Sequence, residues 1–211
     1  MASTDSHLPT RHPLHPLVAR ITHWVGAAAV IVMMLSGWAI YNASPILPFS
    51  IPPALTLGGW LGAGIAWHIS AMWVLIADGL VYLVWGIASG HFRRDFLPVG
   101  PRAVARDLWA ALTLRLVHRA GSYNAVQRLL YVLVVIAVVL AVLSGLSIWK
   151  PVQLGELTWL FGGYDLARRI HFALMSSIAA FLIVHLVLVV LVPSTLVAMI
   201  TGGRAAGEAD R

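Results

Sequence analysis

The chain has 211 residues, 60% of them hydrophobic and only 10% charged, with a formal net charge of +6. Soluble domains run near a quarter charged, so composition excludes an ordinary soluble domain and points to a membrane protein. Cysteine is absent, which excludes disulfides, thiolate-held iron–sulfur clusters and covalently attached c-type haem.

Residues 1–17 are polar, carry three histidines and three prolines, and contain no apolar run of the signal-peptide kind. They read as a flexible tail. Four segments then follow that are long enough to cross a bilayer, since a hydrocarbon core of ~30 Å needs roughly 20 apolar residues. They are residues 18–41, 59–88, 126–149 and 167–192. Between Arg20 and Arg93 the one charged residue is Asp78, and none lies between Arg128 and Lys150 or between Arg169 and Arg204. The link from Ser44 to Pro53 has four prolines and reads as an irregular loop. Residues 89–125 form a long link. Within it, residues 101–116 set Arg102, Arg106 and Asp107 against Val104, Leu108, Trp109 and Leu112 at helical spacing. Pro101 suits a first turn, so a short amphipathic helix at the membrane surface is predicted. Residues 201–211 form a second tail. No internal sequence repeat is evident. The expected fold is an all-α integral membrane four-helix bundle.

Charge sets the expected orientation. Eleven of the fourteen basic residues lie on one side, in the two tails, in the 89–125 link, or at the span ends that adjoin them (Arg20 and Arg128); the other three are Lys150, Arg168 and Arg169. Excess Lys and Arg mark cytoplasmic loops, so both termini are expected in the cytoplasm of a bacterial inner membrane. These arginines flank apolar runs and form no soluble basic face, so nucleic acid is not an expected partner.

Histidines carry the chemistry. A histidine inside a span is costly and rare, and so marks function by default. Of nine, four fall within spans: His23, His68, His171 and His185. His7, His12, His15, His91 and His118 lie in the tail or the link. His171 and His185 are fourteen residues apart, close to four helical turns, so both leave one face of the last span about 21 Å apart. That separation suits two metal centres at different depths. Depth pairs His23 with His185 near the cytoplasm and His68 with His171 near the outer face. Two imidazoles from different helices at one level, without carboxylate or thiol, suit haem iron held from above and below. Zinc would want four ligands together, and no H-E-x-x-H motif is present.

Weaker signals surround the histidines. Gly37 lies fourteen residues after His23, and Gly145 lies eighteen after Gln127. Each either admits a flat macrocycle or serves ordinary small-residue helix packing. Arg20 and Arg128 suit the propionates of a cytoplasmic-side haem, and Arg168 or Arg169 those of an outer one; a purely topological role is the alternative. Asp78 is either a proton relay to a quinone or a packing contact.

With those residues in place, the chain resembles the bacterial di-haem cytochrome b family. This group includes the membrane subunits of nickel–iron hydrogenases, formate dehydrogenase and thiosulfate reductase, and the small cytochromes b(561). The resemblance rests on Arg20-Ile-Thr-His23-Trp24, Ser36-Gly37, Trp67-His68, the stretch from Tyr123 through Gln127 to Tyr131, Ser144-Gly145-Leu146, Arg169-Ile-His171 and His185. It covers roughly residues 11 to 200. A fifth helix, frequent in the hydrogenase type, has no counterpart among the four spans.

The resemblance implies two haems b, with the four named histidines as axial ligands. It implies a quinone near His23, His185 and Gln127, and a periplasmic partner, either an oxidoreductase of the molybdenum kind or a cytochrome c. Membrane lipid and a second copy of the chain complete the expected partners. The rival readings are a self-contained enzyme passing electrons from superoxide or another small reductant to quinone, and a haem-free transporter or scaffold.

Overall fold

The structure is a computed structural model, and it describes residues 15–93, 100–113 and 125–203. Among these residues it is all-helical. The elements are α1 (Leu17–Ala43), a 3-10 turn (Pro53–Leu55), α2 (Leu61–Ala88), α3 (Pro101–Leu112), α4 (Ala125–Trp149), α5 (Gly155–Leu160), α6 (Tyr164–Leu191) and α7 (Pro193–Thr201). Helices α1, α2, α4 and α6 are long and apolar enough to cross a membrane, and they match the four expected spans to within three residues at every end. They run 25 to 28 residues, or roughly 38–42 Å at 1.5 Å per residue, and so overhang a ~30 Å hydrocarbon core at their ends. Much of α4 is Val, Ile and Leu, a composition that favours strands in water. In lipid each backbone group must be satisfied within its own segment, and the helix does this. Side chains such as Ile87 and Val190, both more than 70% exposed, present the apolar outer surface that lipid covers.

Packing divides the bundle into two hairpins. Helix α1 packs along α2, and α4 along α6. The hairpins are clasped together at both ends. Where α1 turns into α2 and α4 into α6, here the loop end, Arg168 donates to the Ser44 carbonyl at 2.7 Å and Tyr41 stacks on Phe172 with ring centroids 5.3 Å apart. At the opposite, tail end, Arg20 donates from Nε to the Met199 carbonyl at 3.2 Å, and the His15 amide donates to the Gly202 carbonyl at 3.1 Å.

The loop end is built by hydrogen bonding rather than by regular structure. Asn42 exchanges two 2.8 Å bonds with the backbone of Ile51, and the Tyr41 hydroxyl donates to the carbonyls of Leu47 and Phe49. Gly58, at φ +118°, turns the chain so close to Gly64 that a Cβ there would lie 2.5 Å from the Gly64 nitrogen. Two short helices were not foreseen. α5 fills the second loop, where Thr158 donates to the Ser147 carbonyl at 3.1 Å. α7 begins at Pro193, whose missing N–H ends α6 and starts a new helix.

The amphipathic helix of the link is α3, which ends at Leu112; residues 114–116 of the expected helix lie outside the described residues. Asp107 joins it to the next span: its carboxylate accepts the Ala125 amide at 2.9 Å and the Arg106 Nε at 3.1 Å. These donors, the Ala125 amide first, hold the Asp107 carboxyl below the usual carboxylate range. Residues 1–14 of the expected tail, with His7 and His12, lie outside the described residues, as do residues 94–99, residues 114–124 with His118 and Tyr123, and the tail from residue 204.

Candidate functional site

At the loop end, α1 carries Ser36-Gly37 and α2 carries His68 as its eighth residue. The His68 Nδ1 lies 3.0 Å from the Met33 carbonyl and 3.2 Å from the Ser36 hydroxyl. A carbonyl only accepts, so Nδ1 bears the proton. The Ser36 O–H is directed to the Val32 carbonyl at 2.6 Å, which leaves its lone pair to accept from the ring. Nε2 is then the unprotonated nitrogen, the one able to bind a metal. Gly37 makes the approach possible, for a Cβ on it would sit 3.3 Å from His68 Cε1.

Helices α4 and α6 build the same device. His171, the eighth residue of α6, places Nδ1 2.9 Å from the Ala141 carbonyl and 3.2 Å from the Ser144 hydroxyl. Ser144 donates to Leu140 at 2.8 Å, and a Cβ on Gly145 would meet His171 Cε1 at 3.1 Å. Each glycine was expected to make room for a macrocycle or for helix packing; in the structure its near neighbour is the imidazole itself. The two rings face each other with centroids 6.2 Å apart and planes 72° apart.

The second layer lies toward the tail end. His23 on α1 faces His185 on α6, with centroids 6.1 Å apart and planes 63° apart. Their other ring contacts are aromatic: His23 meets the edge of Trp24, and His185 stacks on Phe181 at 11°. All four intraspan histidines therefore meet in the expected pairs.

Both layers fit a haem. Two imidazoles bound at about 2.0–2.1 Å on opposite sides of one metal atom put their ring centroids on the order of 6.3 Å apart, matching the 6.1 and 6.2 Å seen here. Among the described residues no cluster of three or more His, Cys, Asp or Glu could hold a metal. Two imidazoles alone are the donor set of an iron whose remaining positions belong to a porphyrin. An apolar cavity opens beside His68 and His171, walled by Val30, Met33, Val138 and Val142 from the facing helices.

The flanking residues divide. The Arg128 Nε is buried and has no hydrogen-bond partner among the described residues. Arg20 is instead tied to α7, and Arg168 to Ser44. Arg169 lines a polar cleft with Asp165, Arg168, Pro45 and Ile46. Gln127 lies in the first turn of α4, at the tail end. Asp78 makes no hydrogen bond or ion pair with a described residue; its Oδ2 is packed toward Gly26, where a Cβ would come within 3.1 Å. At the tail end His15 sits beside Arg20 and His91. Burial first, then those two neighbours, pushes its imidazole below the ordinary histidine range.

Ser36-Gly37 and Ser144-Gly145 stand out in the sequence, which by itself gives the serines no role and shows no evident repeat. Yet Ser36 follows Arg20 by sixteen residues and Ser144 follows Arg128 by sixteen. That matched spacing marks a repeated unit, and the structure shows it as two hairpins, each clamping one histidine.

Apolar spans that oppose imidazole pairs across a bundle define a membrane b-type cytochrome. The family model described as prokaryotic cytochrome b561 matches residues 14–202, and the chain belongs to that family. A similar curated protein comes from Azospira oryzae and is named as an inferred protein-methionine-sulfoxide reductase subunit, YedZ1. The two are 48% identical over 192 residues, covering 90% of this chain and 97% of that protein. The chain is thus a bacterial membrane protein of electron transport that carries haem b.

Proposed function

We propose that this chain carries electrons between the membrane quinone pool and a periplasmic oxidoreductase, through two bis-histidine haems. The opposed imidazole pairs at two depths carry the proposal. In this reading the tail end is cytoplasmic, as the arginine distribution suggests, and the loop end is periplasmic. His23 and His185 then hold an inner haem, and His68 and His171 an outer one.

Haem b supplies one-electron chemistry when bound. The chain's own residues do the rest. The Nδ1 bonds of His68 and His171 fix ring orientation and tautomer. Arg128 offers its unpartnered Nε to a propionate of the inner haem, with Arg20 nearby in sequence register, and Arg168 or Arg169 serves the outer haem. Gln127 belongs to the neighbourhood assigned to quinone.

The relative's name supports a soluble partner of the sulfoxide-reducing kind. Reducing a sulfoxide to a sulfide consumes two electrons and two protons and releases water. With such a partner, electrons run from quinol to the inner layer, to the outer layer and out to the reductase.

The test is haem content. Purified protein made with ample haem should contain two low-spin b-type haems per chain, and His171→Ala should lower this to one. A reduced-minus-oxidised spectrum without b-type absorption, or His171→Ala protein that keeps both haems, would overturn the assignment.

A further inference from the structure

The two layers use the same axial residue type but hold it differently. Each outer-layer imidazole donates its Nδ1–H to two acceptors, a helix carbonyl and a serine hydroxyl. Neither His23 nor His185 has a ring-nitrogen hydrogen bond to a described residue. The serines have no evident task besides this one. Ser36 and Ser144 are completely buried, and each is aimed by its own bond to the preceding turn. The glycine beside each lets the ring reach the carbonyl four residues earlier.

We propose that Ser36-Gly37 and Ser144-Gly145 are a duplicated tuning device that holds the outer haem at a lower midpoint potential than the inner haem. The inference rests on the reading that one haem sits in each layer. Accepting bonds at Nδ1–H push electron density toward Nε2 and make the imidazole a stronger donor. A stronger axial donor stabilises ferric over ferrous iron, so the potential falls. The asymmetry argued from is hydrogen bonding at Nδ1. Because one serine acts through His68 and the other through His171, two residues from separate hairpins address the same iron from opposite faces.

Potentiometric titration of the purified holoprotein, followed at the b-type absorption, tests this. The wild type should resolve two components. Ser36→Ala and Ser144→Ala should each raise the lower component, the double variant should raise it further, and the upper component should stay in place. Gly37→Ala, which crowds the ring off its carbonyl acceptor, should raise the same component or abolish it. Loss of the lower-potential haem alone in any variant supports the assignment; loss of both haems counts against it. Movement of the upper component, equal movement of both, or no movement with two haems still bound overturns the inference and leaves the proposed function standing. A wild-type protein without haem overturns both.

Discussion

At the scale of single residues, the site depends on what two glycines lack. A Cβ at Gly145 would press on a ring already held by two hydrogen bonds, 3.1 Å away. Gly145→Val should therefore displace His171, with a cost of about 1–3 kcal/mol typical of overpacking. The expected result is a folded protein with one haem per chain, the inner one, as read by pyridine haemochrome assay against protein concentration. Two retained haems would mean that the ring can yield. The histidines themselves were legible in sequence, because apolar spans leave few reasons for an imidazole and helical periodicity fixes depth. The role of the serines was not. A hydroxyl in a membrane helix routinely satisfies itself on the preceding turn, as Ser176 and Ser177 do, and nothing in sequence separates those from Ser36 and Ser144. Arg128 and Arg20 are equivalent in spacing, yet only the structure shows that Arg20 is engaged by α7 while the Arg128 Nε is buried without a hydrogen-bond partner among the described residues.

Among the elements, α3 is joined to the start of α4 by one carboxylate. Asp107 accepts the first amide of that span, a group that an α-helix cannot satisfy internally. Since the Asp107 pKa is held below its unfolded value, this anchor contributes its full stability above the ordinary carboxylate pKa of about 3.9. It is lost as pH falls through the lowered folded value. Protection of the first turn of α4 against hydrogen exchange, relative to the intrinsic rate at each pH, should therefore be high and level from neutral pH down to mild acid, then fall. Asp107→Ala should give the low protection at every pH; protection indifferent to the substitution would remove Asp107 from this role. The four spans were readable because length and hydropathy alone decide them in lipid. α5 and α7 were not, since six and nine residues in a loop leave no periodic signal of their own, and α7 is a continuation of apolar sequence cut only by Pro193.

Taken whole, the bundle places its two imidazole layers about 21 Å apart along α6. In the proposed orientation an electron moving from the inner to the outer layer travels toward the positive side of the membrane. Each charge gains roughly 2.3 kcal/mol per 100 mV over the full potential, so the field favours delivery to the periplasm even where the outer haem is the more reducing of the two.

The division into hairpins has a further consequence. Every close helix pair lies on one side or the other of residues 94–99: α1 with α2 before them, α3, α5 and α6 with α4, and α7 with α6, after them. The halves are held to each other by end clasps such as Arg168 with Ser44 and Arg20 with Met199, and in the proposed function each iron site would take one ligand from either half. Two co-expressed pieces, one ending at Arg93 and one starting at Gly100, should thus find each other through the porphyrin. Co-purification in a haem-replete host, and its failure in a haem-starved one, would make iron porphyrin the rivet of this protein as well as its wire.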